Sequence, residues 1–295
     1  MKLSVVIAAS NGPSSLRRCL ESLNEEAKEE EIEIITVSNY DLGADPSIET
    51  NYPHVKFISL PAGTTVPELR TRGIARSSGK IIALIEDHCL VDRQWSSEIT
   101  RAHELPYPAI GGSVENQSCS HLLDWAVYFY DYGKYMPPNR AGAADALPGN
   151  NATYKRSALD QIQESYRDGF YETFVNEELK GRGETLYLAP AAIVYHRNSY
   201  ELRKMLAQFH HHARAYAGKR AASAGLLKRL AMAAGSPALP AVLTTRIALR
   251  TLSKHRRQKE LWLSLPYIFA LMTSWASGEI CGYLLGAGDS ARHWK

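Results

Sequence analysis

The first 200 residues predict an α/β domain built on a doubly wound, mixed sheet, and three observations carry that expectation. Residues 81–85 (IIALI) are a short aliphatic run bounded by Gly79 and ending abruptly in Glu86-Asp87-His88. A continuous apolar run of this length between turn signals fits a strand buried on both faces. Residues 3–8 repeat the pattern and run into the turn cluster Ser10-Asn11-Gly12-Pro13. Between these two strands, apolar periodicity reads helix, strand, strand, helix, the alternation of a wound sheet with a crevice at its carboxyl edge.

Each element has its own signal. After residue 12, Leu16, Leu20 and Leu23 recur on one helical face, with Arg17 and Arg18 turned outward. Residues 33–37 and 55–60 read as the next two strands. Residues 65–77 read as a helix, opened by a Thr65/Glu68 capping box with Pro67 tolerated in the first turn. Ligands collect outside the carboxyl ends of such strands. Ala8, Ser10, Asn11, Glu86, Asp87 and His88 therefore lie where a ligand is expected. The acid and imidazole groups among them suit a divalent cation, either Mn²⁺ or Mg²⁺. Neither GxGxxG nor GxxxxGK[ST] occurs in the chain, so no glycine-rich phosphate loop explains the crevice.

The blocks SVVIAASNGPSSLRRCLESL, EIEIITVSN, ELRTRGIARSSGKIIALIEDH, LPGNNATYKRSAL and YETFVNEELKGRGETLYLAPAAIVYHR follow one another in this order. Together, over roughly residues 3–200, they resemble family 2 glycosyltransferases of the GT-A fold. The resemblance implies a nucleotide-sugar donor, a divalent metal, and a glycan or lipid-linked acceptor hydroxyl. It implies a metal site at Asp87, His88 and His196, in a variant of the family's Asp-rich motif with Glu86 and His88 at the flanking positions. It places Ser38 and Asn39 at the donor's base, where the family usually carries Asp. Arg70 and Arg72 fall near the nucleotide, and Asn150 and Asn151 near the donor sugar; an ordinary Asn-Gly turn is the alternative for the last pair.

The same resemblance makes Glu172 the catalytic base of an inverting transfer, because it precedes His196 by the family's spacing of 24 positions. Glu177 and Glu178 are rival carboxylates on what reads as a solvated helix face. Residues 122–147, rich in Tyr and Pro, read as an insertion beside the acceptor cleft, with Asp124 and Trp125 at its border. Gln208 and Arg214 loosely resemble an interfacial motif of processive members that meets the diphosphate or acceptor. The Trp of that motif is missing, so polymer synthesis is not implied.

At 295 residues, 45% hydrophobic and 22% charged, the chain can bury a large core and carry an appendage. Residues 1–200 read as the catalytic domain and 201–295 as a helical region. Four cysteines without a CxxC pair suggest reduced thiols and a cytoplasmic setting. Met1-Lys2 runs straight into a strand, which leaves no room for a signal peptide. The net charge of +3 hides an asymmetry. Residues 1–196 hold 18 Lys and Arg against 27 Asp and Glu; residues 197–295 hold 16 against 4. The acidic run 25–33 reads as a solvated edge.

The basic region calls for an anionic partner, and no nucleic-acid recognition motif accompanies it. Two apolar segments, 226–247 and 261–286, are long enough to cross a bilayer. However, two crossings would put the basic connector containing Lys254, Arg256, Arg257 and Lys259 on the wrong side, and Glu279 would be costly in lipid. Helices lying in the interface at the cytoplasmic membrane face, or re-entering from it, are expected; soluble core helices or a homodimer contact are the alternative. A non-catalytic nucleotide-sugar binding module and a membrane-surface scaffold are the rival functions.

Overall fold

The computed structural model describes residues 2–26, 32–118, 120–222 and 224–290. Cys119 and most of the acidic run 25–33 lie outside the described residues. Two compact units are present: Met1–Gln117 with Tyr135–Arg197, and Ser118–Lys134 with Asn198–Lys295.

The first unit is a mixed sheet with helices on both faces. In chain order it contains β1 (Leu3–Ala9), α1 (Pro13–Glu26), β2 (Ile32–Ser38), α2 (Ser47–Asn51), β3 (Lys56–Ser59), α3 (Val66–Arg76), β4 (Ile81–Glu86) and β5 (Cys89–Val91). The second unit's α5 (Leu122–Asp131) interrupts the series after α4 (Trp95–Ala102) and β6 (Ala109–Asn116). The first unit resumes with β7 (Gly142–Ala144), β8 (Ala152–Lys155), α6 (Arg156–Asp160), α7 (Glu172–Gly181) and β9 (Leu186–His196). The strand order is β3-β2-β1-β4-β8-β6-β9-β5, with β7 paired to β9. The strands β3, β2, β1 and β4 are parallel, while β8 is antiparallel to both β4 and β6.

Side-chain alternation explains the continuous apolar runs. Val5, Ile7, Ala83 and Ile85 pack with Leu16, Leu20 and Leu23 of α1 and Trp95 of α4. Val6, Ile82 and Leu84 pack on the opposite face with Ile74, Tyr154, Phe170 and Val175. Strands buried on both faces read as near-continuous apolar runs, and the charged cluster Glu86-Asp87-His88 begins where β4 ends. Helix α3 starts at the expected capping box, with the Thr65 and Glu68 side chains bonded reciprocally to backbone.

The second unit is helical: α5, α8 (Leu202–Ala222), α9 (Leu226–Gly235), α10 (Leu239–Leu252) and α11 (Gln258–Leu285). Residues 122–147 read from sequence as one insertion of the first domain beside an acceptor cleft, but 122–134 belong to the second unit and 135–147 to the first. Asp124 and Trp125 are 2% and 4% exposed within the second unit. The Asp124 carboxylate accepts from the Tyr200 backbone, and Arg257 stacks on the Trp125 ring. The apolar segment 226–247 is not one helix. Pro237 and Pro240 break it at a 3₁₀ turn, Ser236–Ala238, because proline lacks the N–H and crowds the preceding turn. Among the described residues, α11 alone is long and apolar enough to cross a membrane. Its Glu279 is buried and paired with Arg220 of α8 at 2.7 Å.

Candidate active site

Glu86 ends β4, and Asp87 and His88 form the turn after it. Glu86 Oε2 lies 3.3 Å from His88 Nε2, and Asp87 Oδ1 lies 3.8 Å from His88 Nδ1. Asp87 is 1% exposed. Its two oxygens accept from the backbone N–H and the side-chain Nδ2 of Asn11, each at 2.8 Å. Asp87 therefore fixes the loop after β1 against the end of β4.

The His88 ring meets the His196 ring edge-on, with centroids 4.7 Å apart. The pairing of β5 with β9 places Cys89 opposite His196 and brings the two rings together. Burial opposes charge on His88, but the carboxylates of Asp87 and Glu86 outweigh it and hold its pKa above the ordinary value. Burial, then the neighbouring His88, pushes His196 well below its ordinary value, so His196 is a neutral imidazole.

Arg70 joins three parts of the site. It lies on the inner face of α3 and is 4% exposed. One guanidinium nitrogen is 2.7 Å from Glu172 Oε2; the other is 2.7 Å from Glu86 Oε1 and 3.0 Å from the Gly149 carbonyl. A buried guanidinium is tolerated only when paired in this way. The two carboxylates outweigh the effect of burial, so Arg70 remains a cation. Its Nε is buried without a hydrogen-bond partner. Arg72, two positions on, is exposed, since two residues turn the helix more than halfway round. Of the two arginines expected near the nucleotide, Arg70 points inward to Glu86 and Glu172 and Arg72 points to solvent.

Glu172 is the first residue of α7, where the helix N-terminus favours a carboxylate. Gly149 lies against it. A Cβ there would stand 2.7 Å from Glu172 Cδ, so any larger residue would push the Glu172 carboxylate from its place. Glu177 and Glu178 lie further along α7 and pair with Lys180 and Arg182, as expected of a solvated face. Tyr171 and Phe174 flank Glu172 as a pair of exposed rings with centroids 5.8 Å apart. The sequence offers no signal for this pair, because a Phe at that helical spacing reads as core.

The remaining expected residues divide sharply. Asn151 is buried, and its amide is used within the fold. Oδ1 accepts from Trp95 Nε1 at 2.9 Å, while Nδ2 donates to the Ser113 and Ala192 carbonyls at 2.9 Å each. It braces the sheet and has no hydrogen left for a sugar. Asn150 is different: Nδ2 reaches Cys89 Sγ at 3.5 Å, and its buried Oδ1 has no partner. Ala8 is in the core and contributes its carbonyl to the Asp87 N–H. Ser10 is exposed beside Asn11, and Ser38 is buried with its hydroxyl on the Tyr40 carbonyl. Asn39 Nδ2 donates to the Thr64 carbonyl at 2.8 Å. Gln208 and Arg214 lie on α8 of the second unit, where Arg214 Nε donates to the Gly286 carbonyl at 3.2 Å.

Glu86, His88 and His196 supply one carboxylate and two imidazoles, a donor set that fits a divalent cation. Among the described residues no three His, Cys, Asp or Glu side chains form a ready-made cage. A cation that arrives on a diphosphate needs only one or two protein ligands, so the set remains adequate.

The sequence model of glycosyl transferase family 2 matches residues 4–163. No curated protein matches the chain. Among solved structures, S. aureus TarS residues 1–349 superposes with a TM-score of 0.52 at 12% identity, covering 95% of this chain and 91% of that one. GalNAc-T7, solved with UDP, GalNAc and Mn²⁺, gives 0.52 at 14% identity, covering 68% of this chain and 44% of that one. At these identities the likeness establishes the fold, which is GT-A.

Proposed function

The chain belongs to glycosyl transferase family 2, and on that premise we infer that it is a nucleotide-sugar transferase acting with inversion on an acceptor hydroxyl. The observation that carries this reading is the single buried guanidinium of Arg70, which holds Glu86 of the donor end and Glu172 of the acceptor end at 2.7 Å each. Glu172 keeps part of its carboxylate exposed, 30% of the side chain, as a base must. The acceptor oxygen bonds to the anomeric carbon as its proton passes to Glu172 and the nucleoside diphosphate departs.

Arg70 and the Asn11 loop pinned by Asp87 keep these groups in register before substrate arrives. Such preorganisation lowers the barrier without reorganisation at the moment of reaction. Glu86, His88 and His196 would hold a divalent cation, Mn²⁺ suiting their mixed donors, and its charge would stabilise a diphosphate leaving group. Asn39, with its amide nitrogen held by Thr64, offers Oδ1 to the base of the donor. The orphaned Oδ1 of Asn150 is suited to a sugar hydroxyl. The acceptor is a glycan or a lipid-linked sugar, and the reaction is placed at the cytoplasmic face of a membrane. The net positive charge of residues 197–295 and the apolar α11 support that placement.

A non-catalytic binding module is the second reading. It is favoured by the Arg70–Glu172 ion pair, which engages the carboxylate assigned as the base. A panel of nucleotide-sugars incubated with the protein and Mn²⁺, with and without chelator, separates the two. Metal-dependent release of nucleoside diphosphate from one donor is expected. Stabilisation by a donor with no release across the panel would establish the binding module.

A further inference from the structure

Helices α9 and α10 carry their large apolar side chains on the outside. Leu227 is 84% exposed and Leu226 67%, while the buried position of α9 is the small Ala233. On α10, Leu249 is 62% and Val242 49% exposed. Large apolar side chains displayed outward on both helices mark an interaction surface rather than a soluble helix face. Its charge is one-sided: residues 202–259 contain no Asp or Glu, and the exposed cations Lys228 and Arg246 lie among the leucines. Ala241, Val242, Thr245, Arg246 and Leu249 line a shallow, open depression on α10 that is largely apolar, with one guanidinium and one hydroxyl at its edge. A protein partner would be met by both signs of charge; an anionic lipid surface is met by apolar groups and cations alone.

Helix α11 is long enough to span, but its packing forbids it. Ser274 donates to the Leu206 carbonyl, and Glu279 pairs with Arg220. A Cβ on Gly278 would stand 2.1 Å from the His210 carbonyl, and one on Gly282 2.5 Å from that of Arg214, so the two helices are in backbone contact. A crossing α11 would carry α8, with His210, His211, His212, Arg214, Lys219 and Arg220, into hydrocarbon. We infer that the outward faces of α9 and α10 seat the protein in one leaflet of an anionic bilayer, with α11 as the beam beneath them and no crossing. This rests on the membrane placement proposed above and specifies its geometry.

The test is flotation of the full-length protein with phosphatidylcholine vesicles, with and without phosphatidylglycerol. Tags ahead of β1 and after Lys295 are also probed in intact and permeabilised cells. Wild type is expected to float with the anionic vesicles. Leu226→Asp with Leu227→Asp should lose at least about 10-fold in partitioning, because two exposed leucines no longer insert. Lys228→Ala and Arg246→Ala should each lose roughly five-fold on anionic vesicles only. Both tags should be reached only after permeabilisation. Variants that float like wild type, or tags on opposite sides of the membrane, would overturn the inference. So would a wild-type oligomer that the leucine variant makes monomeric without loss of flotation, since a second copy would then cover this face. Flotation requires no sugar donor, so its failure is distinguishable from failure of the transferase reading.

Discussion

Glu86 and Asp87 are neighbours in the chain with opposite surroundings. Asp87 is buried with both oxygens on Asn11, while Glu86 shares its carboxylate between Arg70 and His88. Glu86→Gln, which keeps an oxygen on Arg70, is expected to raise the half-saturating Mn²⁺ concentration about 10- to 100-fold with little change in melting temperature. Asp87→Asn should do the reverse. It replaces an acceptor by a donor facing the Asn11 amide, a change of about 1–3 kcal/mol in stability, with Mn²⁺ dependence retained. Metal titration of activity and thermal melting of both variants check this; a Mn²⁺ requirement shifted by Asp87→Asn alone would restore Asp87 as the ligand. The position of these residues at a strand end was legible in the sequence. Their partners were not, because Asn11, Arg70 and His196 come from distant parts of the chain. Asn151, whose amide braces β6, β9 and α4, shows the same limit, and Arg72 lies on the outside of α3.

Between elements, His103 at the end of α4 reaches β8. Its ring nitrogen Nε2 lies 2.7 Å from the Thr153 hydroxyl, which itself donates to the Ile110 carbonyl. Nε2 must then be the donor, and Nδ1 is buried without a partner. Burial, then nearby Lys155, pulls the pKa down from 6.5 to about 3. The native state therefore binds fewer protons than the unfolded chain between these values. This contribution to stability is complete above about pH 6.5 and is lost as the pH falls toward 3. Unfolding at pH 5 should be easier than at pH 7 by about 2 kcal/mol on this account, and His103→Gln should flatten that slope. Denaturant titrations at the two pH values measure it; an equal slope in the variant would assign the effect elsewhere. Strands β1 and β4 and helix α3 were readable from apolar runs and one capping box. The partnership of α5 with the C-terminal helices was not, because its Trp125 and Phe129 meet residues more than 100 positions away, Arg257 and Arg250 among them.

At the scale of the whole molecule, the charge asymmetry separates an acidic catalytic sheet from a basic helical unit, but the chain does not divide at one point. Truncation after residue 200 leaves α5 without α10 and α11, stranding apolar side chains such as Val127 and Phe129. That truncation is expected to aggregate, whereas one that also replaces residues 118–134 by a short polar linker should be soluble and bind nucleotide-sugar. Size-exclusion chromatography distinguishes them, and a monodisperse simple truncation would show that α5 needs no partner. The arrangement of Arg70, Glu86 and Glu172 comes from three separate blocks of sequence, and only folding reveals that one guanidinium joins them. The most direct measurement compares wild type with Glu172→Gln on one preparation, by calorimetric titration with the active nucleotide-sugar and by rate of transfer. The donor dissociation constant should stay within about three-fold while transfer falls by about 10²- to 10⁴-fold, since only the proton acceptor is lost. Transfer at the wild-type rate by Glu172→Gln, with Glu177→Gln or Glu178→Gln inactive, would contradict it.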